Sequence, residues 1–284
     1  MRICILGSSS SGNATYIESE KARFLIDAGF PLRTLSNRLE SISADVSELN
    51  GVFITHEHSD HVKGLKQLIK KYHTPVYATR HTAQALERQL GIEPDFFLFS
   101  PGEPFAFFDL FIEGFSVFHD AQDPVGFCIW NDSAKISMVS DLGFVTSQVK
   151  QKVTGSNIMI IECNHDEKKL DSNPHRPWHL KQRIKGRQGH LSNEAAAQLI
   201  AETAHDALDH VVLFHLSQDC NRPARAEEIM HKTLNNLKCY HTMVHQTFHD
   251  RISPVIEYPK PVPLTEYQAR ERSYDQLEIP ILTT

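Results

Sequence analysis

Four potential metal ligands within six residues constrain this chain more than any other stretch of it. His56-Glu57-His58-Ser59-Asp60-His61 follows the apolar run Gly51-Val52-Phe53-Ile54-Thr55, which reads as a buried strand. Beyond it, Val62, Leu65, Leu68 and Ile69 share one helical face. A strand that ends in a sharp loop and then a helix lets neighbouring side chains diverge, whereas a straight element would aim them along one face. His56 and His58, two apart, then point together at one ion, and Asp60 and His61 serve a second. Mixed nitrogen and oxygen ligands suit zinc, and also manganese or iron. The bland alternative is a solvated histidine-rich loop, and the ligand density directly after a strand argues against it. Histidine is abundant throughout, 17 of 284 residues, and imidazole is the commonest metal ligand.

The rest of the chain fits a layered α/β protein. Apolar residues make up 40%, enough for one large core or two fused halves sharing it. Strand-like runs recur at 2–6, 23–26, 51–55, 75–78, 105–118, 126–130, 136–139, 158–161, 211–214 and 255–258. Helical patterns separate some of them: 195–204 behind a Ser192 or Asn193 cap, and 223 to about 234 capped by Asn221. Strands interspersed with helices imply packed layers, and no fixed-period repeat or low-complexity linker is evident. Prolines at 254, 259, 261, 263 and 280 exclude a helix there, so we expect a domain over 1–252 and an extended C-terminal arm over 253–284. The net charge of −6 argues against a globally basic nucleic-acid binder, although local patches override a global sign. No apolar stretch approaches the ~20 residues of a membrane span, and the N-terminal run is too short for a signal peptide. Five scattered cysteines without Cys-x-x-Cys spacing read as reduced, mostly buried thiols. The expectation is a cytoplasmic chain that does not engage membranes.

The histidine run resembles the signature of the metallo-β-lactamase fold superfamily, whose members place it after a strand of an αβ/βα four-layer sandwich. The resemblance extends to a lone His119 in Val117-Phe118-His119-Asp120, to Asp141 in Ser140-Asp141-Leu142-Gly143, and to His215 in Leu213-Phe214-His215-Leu216. It implies two divalent metal ions, zinc or manganese with iron as a further option. His56, His58 and His119 would hold one, Asp60, His61 and His215 the other, and Asp141 would join both. True β-lactamases of this fold usually carry Cys where Asp141 falls, so penicillin hydrolysis is not implied. An Asp bridge instead suits two-metal hydrolases, among them glyoxalase II-like thioesterases and phosphodiesterases, in which a metal-bridging hydroxide attacks.

The opening Gly7-Ser8-Ser9-Ser10-Ser11-Gly12-Asn13-Ala14-Thr15 offers backbone N–H groups and hydroxyls but is no P-loop, because no Lys-Ser/Thr follows. With Leu25-Ile26-Asp27-Ala28-Gly29, Glu162-Cys163-Asn164-His165-Asp166 and Gly189-His190-Leu191-Ser192-Asn193, it resembles the bacterial YycJ/WalJ-type group. These are relatives of transfer-RNA-processing nucleases, described as 5′-to-3′ exonucleases acting on DNA. The resemblance implies Asp60 as a possible base, His190 as the group protonating the leaving oxygen, and Asp27 as a support for the metal ligands. It also implies Ser11, Asn13, Asn164 and His165 as substrate-facing residues. Seven basic residues, Lys168, Lys169, Arg176, Lys181, Arg183, Lys185 and Arg187, face a single acid, Asp171, between 168 and 190. Such a segment can track a phosphate backbone, with Trp178 stacking on a base. DNA is thus expected as substrate in preference to RNA, and a homodimer is left open. Competing readings are a small-molecule hydrolase (a cyclic-phosphate phosphodiesterase or thioesterase) and a non-catalytic regulatory or DNA-binding protein. His241, His245 and His249 are spaced as on a helix face, but Thr242, Val244, Thr247 and Phe248 favour a strand, so no second metal site is assigned there.

Overall fold

Strands buried on both faces must be covered on both faces, and here each sheet is covered by the other sheet on one side and by helices on the other. The computed structural model describes residues 1–92 and 94–258. One sheet contains β1 (Arg2–Ser9), β2 (Gly12–Glu18), β3 (Arg23–Ile26), β4 (Gly51–Phe53), β5 (Val76–Ala78) and β6 (Phe96–Leu98). The other contains β7 (Phe105–Phe107), β8 (Leu110–Ser116), β9 (Val125–Trp130), β10 (Lys135–Val139), β11 (Ile158–Glu162), β12 (His210–Phe214) and β13 (Met243–Gln246). A final strand, β14 (Ile256–Glu257), completes the first sheet by pairing antiparallel with β1. The orders are β14-β1-β2-β3-β4-β5-β6 and β13-β12-β11-β10-β9-β8-β7.

Nine α-helices lie among the described residues: α1 (Leu32–Glu40), α2 (Ser59–Val62), α3 (Leu65–Tyr72), α4 (Arg80–Leu90), α5 (Ser147–Val153), α6 (Glu167–Ser172), α7 (Trp178–Lys185), α8 (Asn193–Thr203) and α9 (Pro223–Asn236). Period-two alternation sorts the strand side chains. In β1, Ile3 and Ile5 enter the layer between the sheets, while Cys4 and Leu6 face the outer helices. The inter-sheet layer is aromatic. Phe53 meets Phe24, Phe107 and Phe127 edge to face, at centroid distances of 5.2, 5.1 and 5.9 Å, the favoured geometry for ring quadrupoles. Leu35, Leu39, Leu65, Leu68 and Leu86 cover the first sheet's outer face, and Val149, Leu199, Ile200, Met230 and Leu234 cover the second's. The αβ/βα sandwich expected from the sequence is therefore present.

The two sheets repeat one plan. Strands β1 to β3 pair antiparallel, and β3 to β6 pair parallel. Strands β8 to β10 and β10 to β13 do the same. A short sequence echo accompanies this: Asp27-Ala28-Gly29-Phe30 follows β3, and Asp141-Leu142-Gly143-Phe144 follows β10. Both aspartates are left-handed, with φ of 61° and 53°.

Some local expectations change. The run 105–118 is a hairpin, broken where Phe108 turns left-handed at φ 56°. The glycine–serine opening is mostly strand, with only Ser10 and Ser11 forming the turn between β1 and β2. Ser192 caps α8 by accepting from the Ala195 N–H. Asn221 does not cap α9, whose N-cap is Arg222; its amide instead donates to the Cys163 and Asn164 carbonyls. Of the C-terminal arm, 253–258 supply β14 and the remainder lies outside the described residues. All five cysteines are buried. Among the described residues, no helix is long and apolar enough to cross a membrane.

Candidate metal centre

The ends of β3, β4, β8, β10, β11 and β12 all open onto one edge of the sandwich, and the chemistry collects there. Asp27 follows β3, His56 to His61 follow β4, His119 follows β8, Asp141 follows β10, Glu162 closes β11, and His215 follows β12. Asp27, Asp141 and His215 are left-handed, at φ 61°, 53° and 56°. Backbone strain of this kind persists only where surrounding contacts hold it, and it clusters at functional sites.

Two groups of ligand atoms, each within 4.8 Å, are formed by His56, His58 and His119 and by Asp60, His61 and His215. Asp141 lies between them: its Oδ2 is 3.3 Å from His61 Nε2 and its Oδ1 is 3.8 Å from His119 Nε2. The Nε2 atoms of His61 and His215 stand 3.5 and 3.6 Å from Asp60 Oδ2. Residues 58, 119, 141 and 215 are thus gathered around one pocket.

Each of four imidazoles is fixed through Nδ1. His56 bonds the Thr55 hydroxyl at 3.0 Å, His61 bonds Asp27 Oδ2 at 2.7 Å, His119 bonds the Gly189 carbonyl at 3.1 Å, and His215 bonds Glu162 Oε1 at 2.7 Å. Thr55 Oγ1 donates to Asp27 Oδ2, so it accepts from His56. Tying Nδ1 leaves Nε2 to face the pocket, the arrangement by which proteins orient metal-binding histidines. Nε2 of His56 and of His215 is buried and has no hydrogen-bond partner among the described residues. An orphaned buried acceptor is costly, and a cation would satisfy both. The donor set of imidazoles and carboxylates fits a divalent metal.

The electrostatics agree. Burial disfavours charge on His61, yet Asp27, Asp60 and Asp141 overcome it and hold the imidazole well above its ordinary range. His215, also against burial, is pushed up to about 10 by Asp141, Asp60 and Glu162. Asp141 lies well below the usual carboxylate range despite burial, because His215 and His61 face it. Burial pushes His56 and His119 down. Carboxylates that draw positive charge onto His61 and His215, beside His56 and His119 that burial keeps neutral, make a pocket that seeks positive charge.

These features suit hydrolytic metal chemistry, and the known proteins agree. The family described as beta-lactamase superfamily domain matches residues 22–216. The chain belongs to the beta-lactamase superfamily. Exodeoxyribonuclease YycJ of Bacillus anthracis is 35% identical over 223 residues, 78% of this chain and 84% of that protein. Exodeoxyribonuclease WalJ of Streptococcus pneumoniae is 36% identical over 236 residues, 82% of this chain and 86% of that protein. Among solved structures, the metallo-beta-lactamase fold protein YhfI from Bacillus subtilis superposes with a TM-score of 0.68 at 14% identity, covering 88% of this chain and 97% of YhfI. The short form of human tRNase Z superposes at 0.58 and 18% identity, covering 77% and 93%. Family and pocket together make this beta-lactamase-superfamily protein a metal-dependent hydrolase.

Glu162 went unassigned in the sequence, although a carboxylate ending a fully buried apolar strand is a visible anomaly. Its Oε1 accepts from Nδ1 of both His190 (2.8 Å) and His215 (2.7 Å), and its Oε2 from the Leu142 and Leu191 N–H groups, both at 3.1 Å. Burial opposes its charge, but His190 and His215 hold it down to about 2. His190 is therefore fixed through Nδ1 and lines a cleft of about 390 Å³ with His58, Asp60, His119, Asp141 and His215.

The substrate-facing candidates divide. Asn164 lines the cleft and donates to the His215 carbonyl at 3.0 Å. His165 is buried, lies outside the cleft lining, and is pushed down to about 4 by burial. Ser11 is exposed beyond the lining, and Ser10 takes the lining position instead. Asn13 is buried, with Nδ2 3.3 Å from Asp60 Oδ2 and Oδ1 accepting from Ser8 Oγ, so it braces Asp60. The basic segment reaches the cleft through Arg176 and Arg183, but both are paired. Arg176 grips Asp219 with two bonds of 2.8 and 3.0 Å, and Arg183 reaches Asp120 at 2.7 Å. Trp178 is 74% exposed and, unlike Leu180 and Ile184 of the same helix, does not line the cleft. His245 lies in β13 and bonds His210 at 2.9 Å, remote from the cluster.

Proposed function

We propose that this hydrolase cleaves phosphodiester bonds in DNA as a 5′-to-3′ exonuclease using two divalent cations, zinc or manganese. His56, His58 and His119 would hold one, Asp60, His61 and His215 the other, with Asp141 between. Bound there, such cations supply a water activated at neutral pH and neutralise charge on phosphoryl oxygens. Asp60, braced by Asn13 and facing two imidazoles, orients the attacking water and can accept its proton. The observation that carries the reading is the Glu162–His190 pair. With Nδ1 held 2.8 Å from Glu162 Oε1 and 3.5 Å from Asp141 Oδ1, His190 lines the cleft and delivers a proton from Nε2 to the departing ester oxygen. Arg176 and Arg183 border the same cleft, where a substrate phosphate can exchange with their carboxylate partners. That the YycJ and WalJ relatives are exodeoxyribonucleases supports DNA as the polymer.

The test is digestion of 5′- and 3′-labelled oligonucleotides by the Mn²⁺- or Zn²⁺-loaded protein. Stepwise loss of nucleotides from the 5′ end is expected. Intact DNA in the presence of stoichiometric bound metal, or hydrolysis of cyclic phosphates or thioesters alone, would refute the assignment.

A further inference from the structure

We infer that Phe118, Phe144 and Arg187 form a base-stacking platform that seats the nucleobase beside the scissile phosphate of single-stranded DNA; the inference rests on the nuclease reading of the same site. Phe118 precedes His119, and Phe144 lies three residues after Asp141; the rings do not line the cleft themselves, but with Arg187 they ride on loops whose residues His119, Asp120, Asp141, Gln188 and Gly189 do. They are 45% and 42% exposed. The Arg187 guanidinium lies 4.3 Å from the Phe144 ring centroid and 5.8 Å from that of Phe118. Unlike Arg176 and Arg183, it has no carboxylate partner among the described residues. Two aromatic faces joined by an uncompensated cation match a nucleobase and its flanking phosphate. They also do so without selecting a base, because every base offers a π-face.

The platform is rigid. A Cβ at Gly143 would lie 2.2 Å from the Gly186 carbonyl oxygen and 2.4 Å from the Gly189 nitrogen, so backbone packs directly on backbone there. Gly143 donates its N–H to Phe118 at 3.0 Å, and Asp120 donates to Gln188 at 3.2 Å. The His119 Nδ1 bond to Gly189 ties the same loops to the metal cluster. Stacking on a surface fixed in advance costs little ordering entropy.

The experiment is a protein-by-ligand cycle on the metal-loaded full-length protein. Anisotropy of a fluorescent single-stranded oligonucleotide is compared with that of the same oligonucleotide carrying one abasic position near its 5′ end, for wild type and for Phe144→Ala and Phe118→Ala. In wild type, deleting the base costs on the order of ten-fold in affinity. In the variants that difference collapses, and Phe144→Trp restores it. Photocrosslinking of 5-iodouracil at the same position, mapped to Phe118 or Phe144, provides a readout independent of any folding defect. If the base-deletion penalty persists in both alanine variants, or crosslinks fall only on Trp178, the platform is refuted while the nuclease reading stands. A wild type that neither binds nor cuts DNA overturns both.

Discussion

Replacing Glu162 with glutamine removes the charge that orients two histidines while keeping the shape. The carboxylate accepts four hydrogen bonds, two from imidazoles and two from backbone N–H groups. An amide can satisfy one pair and then turns its own N–H₂ toward the other. The native carboxyl is held at about 2 against an ordinary 4.5, a preference for the charged form worth about 3 kcal/mol. Because the folded-state value is depressed, this stabilisation is fully present above pH 4.5 and drains away as the pH falls toward 2. We therefore expect Glu162→Gln to be destabilised by about 3 kcal/mol at neutral pH, lowering Tm by roughly 5 °C. The kcat/KM on a labelled oligonucleotide should fall by about 100-fold, from misoriented His215 and a weakened His190 acid. A nucleoside p-nitrophenyl phosphate ester, whose leaving group needs no proton, should recover about ten-fold of that loss. A variant within three-fold of wild type on both substrates, with normal metal content, would refute the role given to Glu162.

Gly29→Ala would place a Cβ 1.8 Å from the Asp60 carbonyl oxygen and 2.5 Å from the Asn13 nitrogen; it should cost about 3 kcal/mol or more in urea denaturation. Gly91→Ala, left-handed but with nothing within 4 Å, should cost only about 1 kcal/mol, and equal costs would contradict the packing argument. Stripping metal with a chelator should lower Tm, and restoring it to 100-fold over Kd should return about 2.7 kcal/mol; an unchanged melting curve would count against a metal in the pocket. The double variant Arg176→Glu with Arg183→Glu should weaken DNA binding and flatten its log–log salt slope by about 0.7 per lost phosphate contact, so an unaltered slope would remove both arginines from the substrate path.

The residues that gather into the cluster were legible in the sequence because metal chemistry limits residue types and because His56 to His61 are local. The strands of both cores were legible too, since a strand buried on both faces leaves a continuous apolar run. The strands β2 and β6 were not: Gly12-Asn13-Ala14-Thr15 has loop composition and becomes a strand only by pairing with β1 and β3, and Phe96–Leu98 is too short a run to stand out before it pairs with β5. Glu162 escaped because its partners, His190 and His215, are 28 and 53 residues away, a separation no local pattern encodes. The +6 segment misled in magnitude. Its cleft arginines meet Asp120 and Asp219, which lie outside the segment and become neighbours only on folding. The internal duplication also hid, since Asp-x-Gly-Phe is too short an echo to register as a repeat until the sheets are aligned.

The claim on which the rest depends is that these side chains cage divalent cations. Anomalous scattering from crystals grown with Zn²⁺ or Mn²⁺ tests it directly. Two peaks ~3.5–4 Å apart, one among His56, His58 and His119, the other among Asp60, His61 and His215, with Asp141 touching both, are the predicted result. A pocket without anomalous density at saturating metal, or peaks confined to other surface histidines, would contradict it.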